Sequence, residues 1–269
     1  MPKLHMLKSV TDTINTSLIF ESESSLIVFD GGFACEAEYL HEYLLGLGGH
    51  VDAWFLTHAH KDHVDACYTI LSQYDDVTVD KLCYNFPANE WFAAHDSTGE
   101  GLEIALRLQK TCTDRKIPVE TVQMGDLYAF HGFSLRVLRT PDEAIISNPI
   151  NNSSVVYRAE IEETSVLILG DLGVEGGRQL LDTVPAHLIR SDYCQMAHHG
   201  QDGVAREVYE AIRPRFCLWC APSWVWDNLG PGGYDTGRLK TVIVRGWMSE
   251  LRCVERHYRM IDGTTVIEL

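Results

Sequence analysis

Short apolar segments typical of β-strands alternate with amphipathic helical segments in both halves of the chain, in the same broad order. In the first half, strands at residues 16–21 and 25–29 precede a helix at 36–47. In the second half, a strand at 165–169 precedes a helix at 175–181. Because each sheet and each helix must bury its apolar face, the pattern predicts two mixed sheets packed face to face with helices outside. The expected fold is a four-layer αββα sandwich of the α/β class.

No composition shift and no Pro/Gly/Ser-rich linker separates the halves, so we expect one domain over residues 1–269. Local patterns predict a continuous strand at 51–56 and a helix at 64–73. They also predict a loop at 223–235, rich in Trp and Gly, and a final hairpin at 255–268 that turns at Asp262-Gly263.

The formal net charge of −16 gives a surface that repels nucleic acid and anionic membranes. No apolar run reaches membrane-spanning length, and the N-terminus has no signal-peptide pattern. The eight cysteines are scattered, and Cys217 and Cys220 lie in an apolar run typical of a core strand. We therefore expect a cytoplasmic protein with reduced thiols and a small-molecule substrate, and neither membrane nor nucleic acid as partner.

Three histidines and an aspartate fall within six residues directly after an apolar strand: His58, His60, Asp62 and His63. Residues two apart on extended backbone point the same way, so His58 and His60 can converge on one ion. Asp62 and His63 lie further along, at the start of a helix, and can face a second ion. The alternative is a solvated histidine-rich turn, which four potential ligands at this spacing disfavour.

Two further segments place metal-ligand residue types at strand ends. Asp171 ends an apolar run and could bridge two ions, or it could cap the helix that follows. His198 and His199 precede Gly200, which allows a sharp turn. Adjacent residues on extended backbone face opposite sides, so we expect one of the two histidines to be a ligand.

With these motifs the sequence resembles the metallo-β-lactamase superfamily. THAHKDH matches the H-x-H-x-D-H signature, and Asp30, Asp171 and His199 fall where the superfamily has its first aspartate, its bridging aspartate and its last histidine ligand. The resemblance implies that Asp30 organises the metal loops without being a ligand. Asn-Asn-Ser-Ser at 151–154 resembles the branch of DNA-uptake channel hydrolase domains and phosphorylcholine esterases, which lacks a third histidine at the first metal.

The resemblance implies a hydrolase with two divalent metal ions, for which Zn is the first choice and Mn or Fe would also fit. The ions would be held by His58, His60, Asp62, His63, Asp171 and His199, with Asp62 also counted as catalytic. Such a pair lowers the pKa of a bound water toward roughly 7, so that a hydroxide can attack the substrate. His198 is the candidate general acid for the leaving group.

For the substrate, the branch resemblance favours a small phosphodiester, with Asn151 and Asn152 as donors to its oxygens. A carboxylic ester, lactone or thioester would suit the superfamily equally well, and a non-catalytic binding module is the third alternative. Trp224 and Trp226 could wall the substrate pocket or cage a quaternary ammonium, or they could simply pack.

Overall fold

The computed structural model describes all 269 residues. The strands are β1 (Lys3–Met6), β2 (Ser17–Glu21), β3 (Leu26–Asp30), β4 (His50–Val51), β5 (Ala53–Phe55), β6 (Thr78–Val79), β7 (Leu82–Tyr84), β8 (Val119–Thr121), β9 (Leu127–Phe130), β10 (Phe133–Arg139), β11 (Val156–Ile161), β12 (Thr164–Ile168), β13 (Tyr193–Gln195), β14 (Phe216–Trp219), β15 (Arg256–Arg259) and β16 (Thr265–Glu268). The helices are α1 (Ala37–Gly46), α2 (Lys61–Gln73), α3 (Asn89–His95), α4 (Glu100–Arg115), α5 (Pro149–Asn152), α6 (Val174–Thr183), α7 (Ala186–Ile189), α8 (Arg206–Ile212), α9 (Ser223–Trp226) and α10 (Thr241–Glu250).

Fourteen of these strands form two seven-stranded mixed sheets. The first sheet has the order β16-β1-β2-β3-β5-β7-β8, and the second has the order β15-β14-β13-β12-β11-β10-β9. In each sheet four strands are antiparallel neighbours, and the strands that follow run parallel. The strands β4 and β6 pair separately.

Apolar side chains fill the space between the two sheets. Phe29 stacks on Phe55 with ring centroids 5.3 Å apart, and the ring of Tyr157 from the second sheet packs against both. The hydroxyl of Tyr157 donates to the carbonyl oxygen of Leu56 at 3.0 Å, which ties the sheets together where β5 ends.

A helical layer covers the outer face of each sheet. Leu40 of α1, Cys67 of α2 and Leu108 of α4 share one core with strands of the first sheet. Helices α6, α8 and α10 share another core with the second sheet. The predicted four-layer αββα architecture is therefore confirmed.

The prediction of a hairpin at 255–268 is wrong. Strand β15 pairs in parallel with β14 in the second sheet, whereas β16 pairs antiparallel with β1 in the first sheet. A short 3₁₀ turn at Met260–Asp262 carries the chain across between the sheets. The Asp262-Gly263 pair does turn the chain, but the two strands on either side of it join different sheets and do not pair with each other.

Three other local predictions need correction. The expected strand at 51–56 is interrupted at Asp52, whose carboxylate accepts a hydrogen bond from the backbone N–H of Leu26 at 2.6 Å. Helix α2 begins at Lys61 and not at residue 64, and the expected loop at 223–235 contains α9. Helix α3 has no counterpart among the predicted elements. None of the helices combines the length and apolar character needed to cross a bilayer.

Candidate metal centre

The loops that follow β5, β12 and β13 meet at one edge of the sandwich. Each strand belongs to the parallel part of its sheet, and the contacts between their loops bring the carboxyl ends of the two sheets to one edge. The loops carry residues 57–63, 169–173 and 196–200, and Val155 N donates to the carbonyl oxygen of Thr57 at 2.9 Å across them. The predicted ligands, which are distant in the sequence, are thereby brought together.

One group of potential ligand atoms consists of His58, His60 and Asp171. Nε2 of His58 lies 3.0 Å from Nδ1 of His60 and 3.8 Å from Oδ2 of Asp171. His58 and Asp171 are buried and His60 is half-buried. No third histidine joins this group. His131 lies exposed in the turn between β9 and β10, where its backbone N–H donates to the hydroxyl of Ser25.

A second group consists of Asp62, His63, Asp171 and His199. Nε2 of His63 lies 3.1 Å from Oδ1 of Asp171, and Nε2 of His199 lies 3.0 Å from Oδ2 of Asp62 and 3.4 Å from Oδ2 of Asp171. Asp171 belongs to both groups, one carboxylate oxygen facing His63 and the other facing His58 and His199. This is the position that a bridging ligand would need.

The donor set fits divalent metal ions. Nε2 of His63 and Oδ1 of Asp171 are buried and have no hydrogen-bond partner, although they face each other. Ligands at ~2.0–2.1 Å from a tetrahedral zinc lie about 3.3 Å apart. Three separations in the second group, 3.1, 3.0 and 3.4 Å, are close to that value, and Nε2 of His63 lies 3.7 Å from Oδ2 of Asp62. Zn, Mn and Fe all accept imidazole and carboxylate ligands, so the donor set suits each of them.

Asp30 and Thr57 support the ligands from beneath. The carboxylate of Asp30 accepts hydrogen bonds from Nδ1 of His63 at 2.7 Å and from the backbone N–H and hydroxyl of Thr57 at 2.8 and 2.9 Å. With its proton on Nδ1, His63 presents the lone pair of Nε2 to the centre. Asp30 itself belongs to neither ligand group, as the resemblance implied.

His198 and His199 both have left-handed backbone conformations, with φ of 51° and 56°. The expectation of extended backbone at these two residues is therefore wrong. Of the two histidines, only His199 belongs to a group of potential ligands. Nδ1 of His199 lies 2.8 Å from the carbonyl oxygen of Cys220 and donates to it, which leaves Nε2 for the centre. His198 lies outside both groups, with Nε2 3.7 Å from Oδ2 of Asp171 and its side chain 23% exposed.

Gly200 makes the turn after the two histidines possible. Its φ is +79°, and a Cβ at this position would lie 2.2 Å from the ring of Trp219. A side chain here would therefore collide with the buried ring and also strain the backbone.

Two polar side chains, Ser154 and Gln195, hold the loop of Asp171, and the sequence analysis predicted this role for neither. The hydroxyl of Ser154 accepts from the backbone N–H of Asp171 at 3.0 Å. The buried amide of Gln195 accepts from Leu169 N and donates to the carbonyl oxygens of Gly170 and Met196, so it joins the ends of β12 and β13. A glutamine inside the apolar segment of β13 was the available signal for this role.

The buried amide of Asn152 uses all its hydrogen-bonding capacity inside the protein, and its predicted contact with substrate stays a prediction. Its Oδ1 accepts from the backbone N–H groups of Gly173 and Gly176, at the start of α6. Its Nδ2 donates to Ser147 O and to Glu175. Asn152 thus caps the start of α6. Asp171, for which the sequence left open a role as the cap of this helix, is not needed for it.

Asn151 and Trp226, two other residues expected to contact substrate, have different surroundings. Oδ1 of Asn151 is buried without a partner, and a role for Asn151 stays a prediction. Trp226 packs edge-on against Trp219, and the guanidinium groups of Arg245 and Arg259 lie over its ring at 4.3 and 5.3 Å.

Because the protein's own cations already contact the ring of Trp226, packing explains this residue better than an ammonium cage. The more exposed Trp224 donates from Nε1 to Asp12 O. Its predicted contact with substrate stays a prediction.

Burial and charge set the protonation of the centre. Burial alone would lower the pKa of His63, but the carboxylates of Asp171, Asp30 and Asp62 raise this pKa well above its ordinary value. Burial likewise opposes and Asp171 favours the charged form of His199, whose pKa is raised to about 9. Burial would raise the pKa of Asp171, but His199, His63 and His198 hold it well below the ordinary range. The buried carboxylates thus stay ionised and stabilise positive charge on the histidines. The same negative charge would favour the binding of metal cations.

Comparison with known proteins agrees with this fold and site. Residues 10–79 match the family model described as the metallo-beta-lactamase superfamily. This match agrees with the predicted resemblance to the superfamily, and the fold and the candidate ligands are consistent with a dinuclear metallohydrolase. The predicted class of enzyme is therefore confirmed.

The chain is further similar to ComE operon protein 3 of Bacillus subtilis, with 25% identity over 173 residues. The match covers 62% of this chain and 20% of the relative, so the chain spans about a fifth of the relative's length.

Several solved structures share the fold. YhfI from Bacillus subtilis, described as a metallo-beta-lactamase fold protein, has 13% identity and a TM-score of 0.59, with 100% of both chains covered. A diphosphatase of the PhnP family has 12% identity and a TM-score of 0.52, with 100% of this chain and 98% of that chain covered. CmlA, a diiron β-hydroxylase from Streptomyces venezuelae, has 12% identity and a TM-score of 0.54, with 100% and 54% covered. At these identities the likeness concerns the fold alone.

Proposed function

We propose that this protein is a phosphodiesterase that acts on a small phosphodiester with the help of two divalent metal ions, of which Zn is the first choice. The observation that carries the proposal is the sharing of Asp171 between two groups of ligand atoms. A carboxylate shared in this way would hold two cations side by side, and a pair of cations would supply the charge stabilisation that the in-line displacement of phosphate esters needs.

The metal ions would lower the pKa of a water molecule toward ~7 and neutralise charge on the phosphate oxygens. The protein's own residues orient and protect that chemistry. Asp30 and the carbonyl oxygen of Cys220 hold the Nδ1 protons of His63 and His199, so both imidazoles keep a fixed orientation. Asp62, with its side chain 15% exposed, is the ligand side chain at the border between the buried centre and solvent in the second group.

His198 is placed to hold the proton that the leaving group needs. Its side chain is partly exposed beside Asp171, and its buried Nδ1 has no hydrogen-bond partner. An imidazole outside the ligand set can donate a proton to an alkoxide or phenoxide oxygen as that oxygen departs.

Among the solved structures of this fold, one is described as a diphosphatase and another as a β-hydroxylase. The first supports phosphate chemistry on such a scaffold. The fold by itself does not select the substrate, so the proposal depends on the paired ligand groups and on His198.

The first test compares bis(p-nitrophenyl) phosphate with a panel of lactones, carboxylic esters and thioesters, using protein whose metal content has been measured. We expect hydrolysis of the phosphodiester that is lost on treatment with a chelator and restored by Zn, Mn or Fe. Activity on lactones or other carboxyl substrates alone would overturn the proposal.

The second test examines His198 with two leaving groups. A p-nitrophenolate leaves without protonation, whereas an alkyl alcohol does not. His198→Gln should therefore reduce hydrolysis of an alkyl phosphodiester by about 100-fold or more and that of the p-nitrophenyl ester by much less. The exposed His95→Gln is the matched control. Equal losses on both substrates would contradict the general-acid role.

A further inference from the structure

A second cavity lies at the edge of the second sheet opposite the candidate metal centre. Its volume is about 590 Å³, and its wall is built from the segments that lead into β12, β13, β14 and β15. Five arginines line it, at positions 158, 190, 213, 215 and 252. In a chain with only 22 Lys and Arg and a net charge of −16, this concentration of positive charge requires an explanation.

Two of these arginines are used within the protein. Arg215 donates from Nε to Glu255 at 2.8 Å, and Arg158 pairs with Glu160. The other three, Arg190, Arg213 and Arg252, are exposed, and their guanidinium groups have neither an ion pair nor a hydrogen bond in the structure.

The carboxylates of the wall do not neutralise these three guanidinium groups. Asp192 accepts hydrogen bonds from the backbone N–H and the hydroxyl of Ser165, both at 3.0 Å, and Glu255 is held by Arg215. Glu163 is exposed and makes no ion pair. The wall therefore has a surplus of positive charge with unused donors.

The backbone that presents the three arginines is fixed. Ser191 N donates to Ile212 O at 3.1 Å, which joins the turn of Arg190 to that of Arg213. Arg215 O accepts from Glu255 N at 2.8 Å, which joins the same framework to the segment that follows Arg252. Binding an anion here would order side chains but would not require the loops to rearrange, so the entropic cost is confined to the side chains.

We infer that this cavity is a binding site for a small polyanion that carries two or more phosphate groups. Planar guanidinium groups pair with phosphate oxygens in a bidentate way, and three of them can hold two neighbouring phosphates. Cys253 is the one apolar lining residue, so the wall offers no surface for a base or an acyl chain. The chemistry of the wall thus matches an inorganic polyphosphate better than a nucleotide.

The cavity is separate from the candidate metal centre. Ser165 lies at the start of β12 and Asp171 lies beyond its end, so the two residues are at opposite ends of a strand that spans roughly 13 Å. The inference therefore does not depend on the proposed hydrolytic function, and each can fail without the other.

The test uses Cys253 as a local reporter, because it lines the cavity and is partly exposed. In a Cys35→Ser background, which removes the exposed thiol elsewhere, the rate of Cys253 alkylation by neutral iodoacetamide is followed by peptide mass spectrometry. Inorganic pyrophosphate should slow alkylation at least severalfold, and sodium sulfate at equal ionic strength should not. Chelation of metal ions by pyrophosphate does not enter this readout, because the reporter is remote from the metal ligands.

The variant with Arg190→Ala, Arg213→Ala and Arg252→Ala should need at least about tenfold more pyrophosphate for the same protection, because it loses all three guanidinium groups that are free to pair with phosphate oxygens. A control with Lys110→Ala, Lys116→Ala and Arg206→Ala removes the same charge from other surfaces and should be protected like the parent protein. Circular dichroism verifies folding, and Arg252→Glu alone carries the test if the triple variant is unfolded. Absence of protection in the parent, or equal protection in the arginine variant, would overturn the inference.

Discussion

The carboxylate of Asp30 lies 2.7 Å from Nδ1 of His63, and both side chains are completely buried. Asp30 comes from the end of β3 and His63 from the first turn of α2, so the contact joins the first sheet to its helical layer directly beneath the ligand groups. The contact therefore holds the imidazole in one orientation, with a proton on Nδ1, before any ion binds.

The first prediction concerns that contact. Asp30→Asn keeps the shape of the side chain and tolerates the left-handed backbone at this position, where φ is 55°. It removes the charge that keeps the proton on Nδ1 of His63, so metal affinity should fall by about 10–100-fold. Titration of chelator-treated protein with Zn measures the change. Unaltered affinity would show that the carboxylate does not act through His63.

The second prediction concerns Asp62, whose Oδ2 lies 3.0 Å from Nε2 of His199. Asp62→Ala should abolish turnover and reduce the bound metal by about one equivalent, because the second group loses one of its four ligand side chains. Steady-state rates and metal analysis test both effects. The exposed Asp182→Ala should retain both, and a normal rate in Asp62→Ala would refute the assigned role.

The third prediction concerns the helix cap made by Asn152. Asn152→Ala removes the acceptor for two N–H groups at the start of α6 and should lower the free energy of unfolding by about 1–3 kcal/mol. Urea unfolding measures the difference, and the exposed Gln109→Ala serves as control. If the variant keeps its stability but loses activity, the side chain acts on substrate and not as a cap.

The fourth prediction is a pH dependence at Glu36, a buried carboxylate that holds the segment between β1 and β2. Burial raises its pKa, but hydrogen bonds from Ser9 and Thr11 outweigh this effect, and the pKa is lowered from its ordinary value of 4.5. A lowered folded-state pKa contributes stability above about pH 4.5, and this contribution is lost as the pH falls through the folded-state value.

Glu36→Gln should therefore be less stable than the parent by about 1–3 kcal/mol at pH 7, and the difference should shrink below pH 4.5. Urea unfolding at pH 7 and pH 4 gives the two differences, with the exposed Glu42→Gln as control. A gap that stays constant across this range would mean that the charge of Glu36 is unimportant.

The sequence was sufficient for the architecture because burial dictates the alternation of strands and helices in both halves. It was also sufficient to bring together the six ligand candidates, since His58, Asp171 and His199 all follow apolar strands whose carboxyl ends meet. The sheet that each of the last two strands joins could not be predicted from the residues around their turn. The Asp262-Gly263 turn has the pattern of a hairpin, but the register of β16 with β1 is determined by residues some 260 positions away.

The residues that support the ligands could not be predicted from local sequence either. Asn152 resembled a free donor because its partners, Gly173 and Gly176, lie far along the chain. The two histidines before Gly200 were interpreted on extended backbone, and only the contact of that glycine with Trp219 shows why the chain turns left-handed there. Local patterns therefore pointed to the candidate ligands, while the residues that orient them could be recognised only in the folded structure.

The crossing of the last residues from β15 to β16 has a consequence for biosynthesis. The edge strand of the first sheet is made from residues 265–268, and Leu269 N donates to Pro2 O at 3.0 Å. The amino-terminal half thus emerges from the ribosome without one of its sheet neighbours and acquires it only after residues 265–268 have been synthesised. Nascent chains stopped before residue 265 would leave β1 unpaired on one side, with an exposed strand edge open to association with other chains.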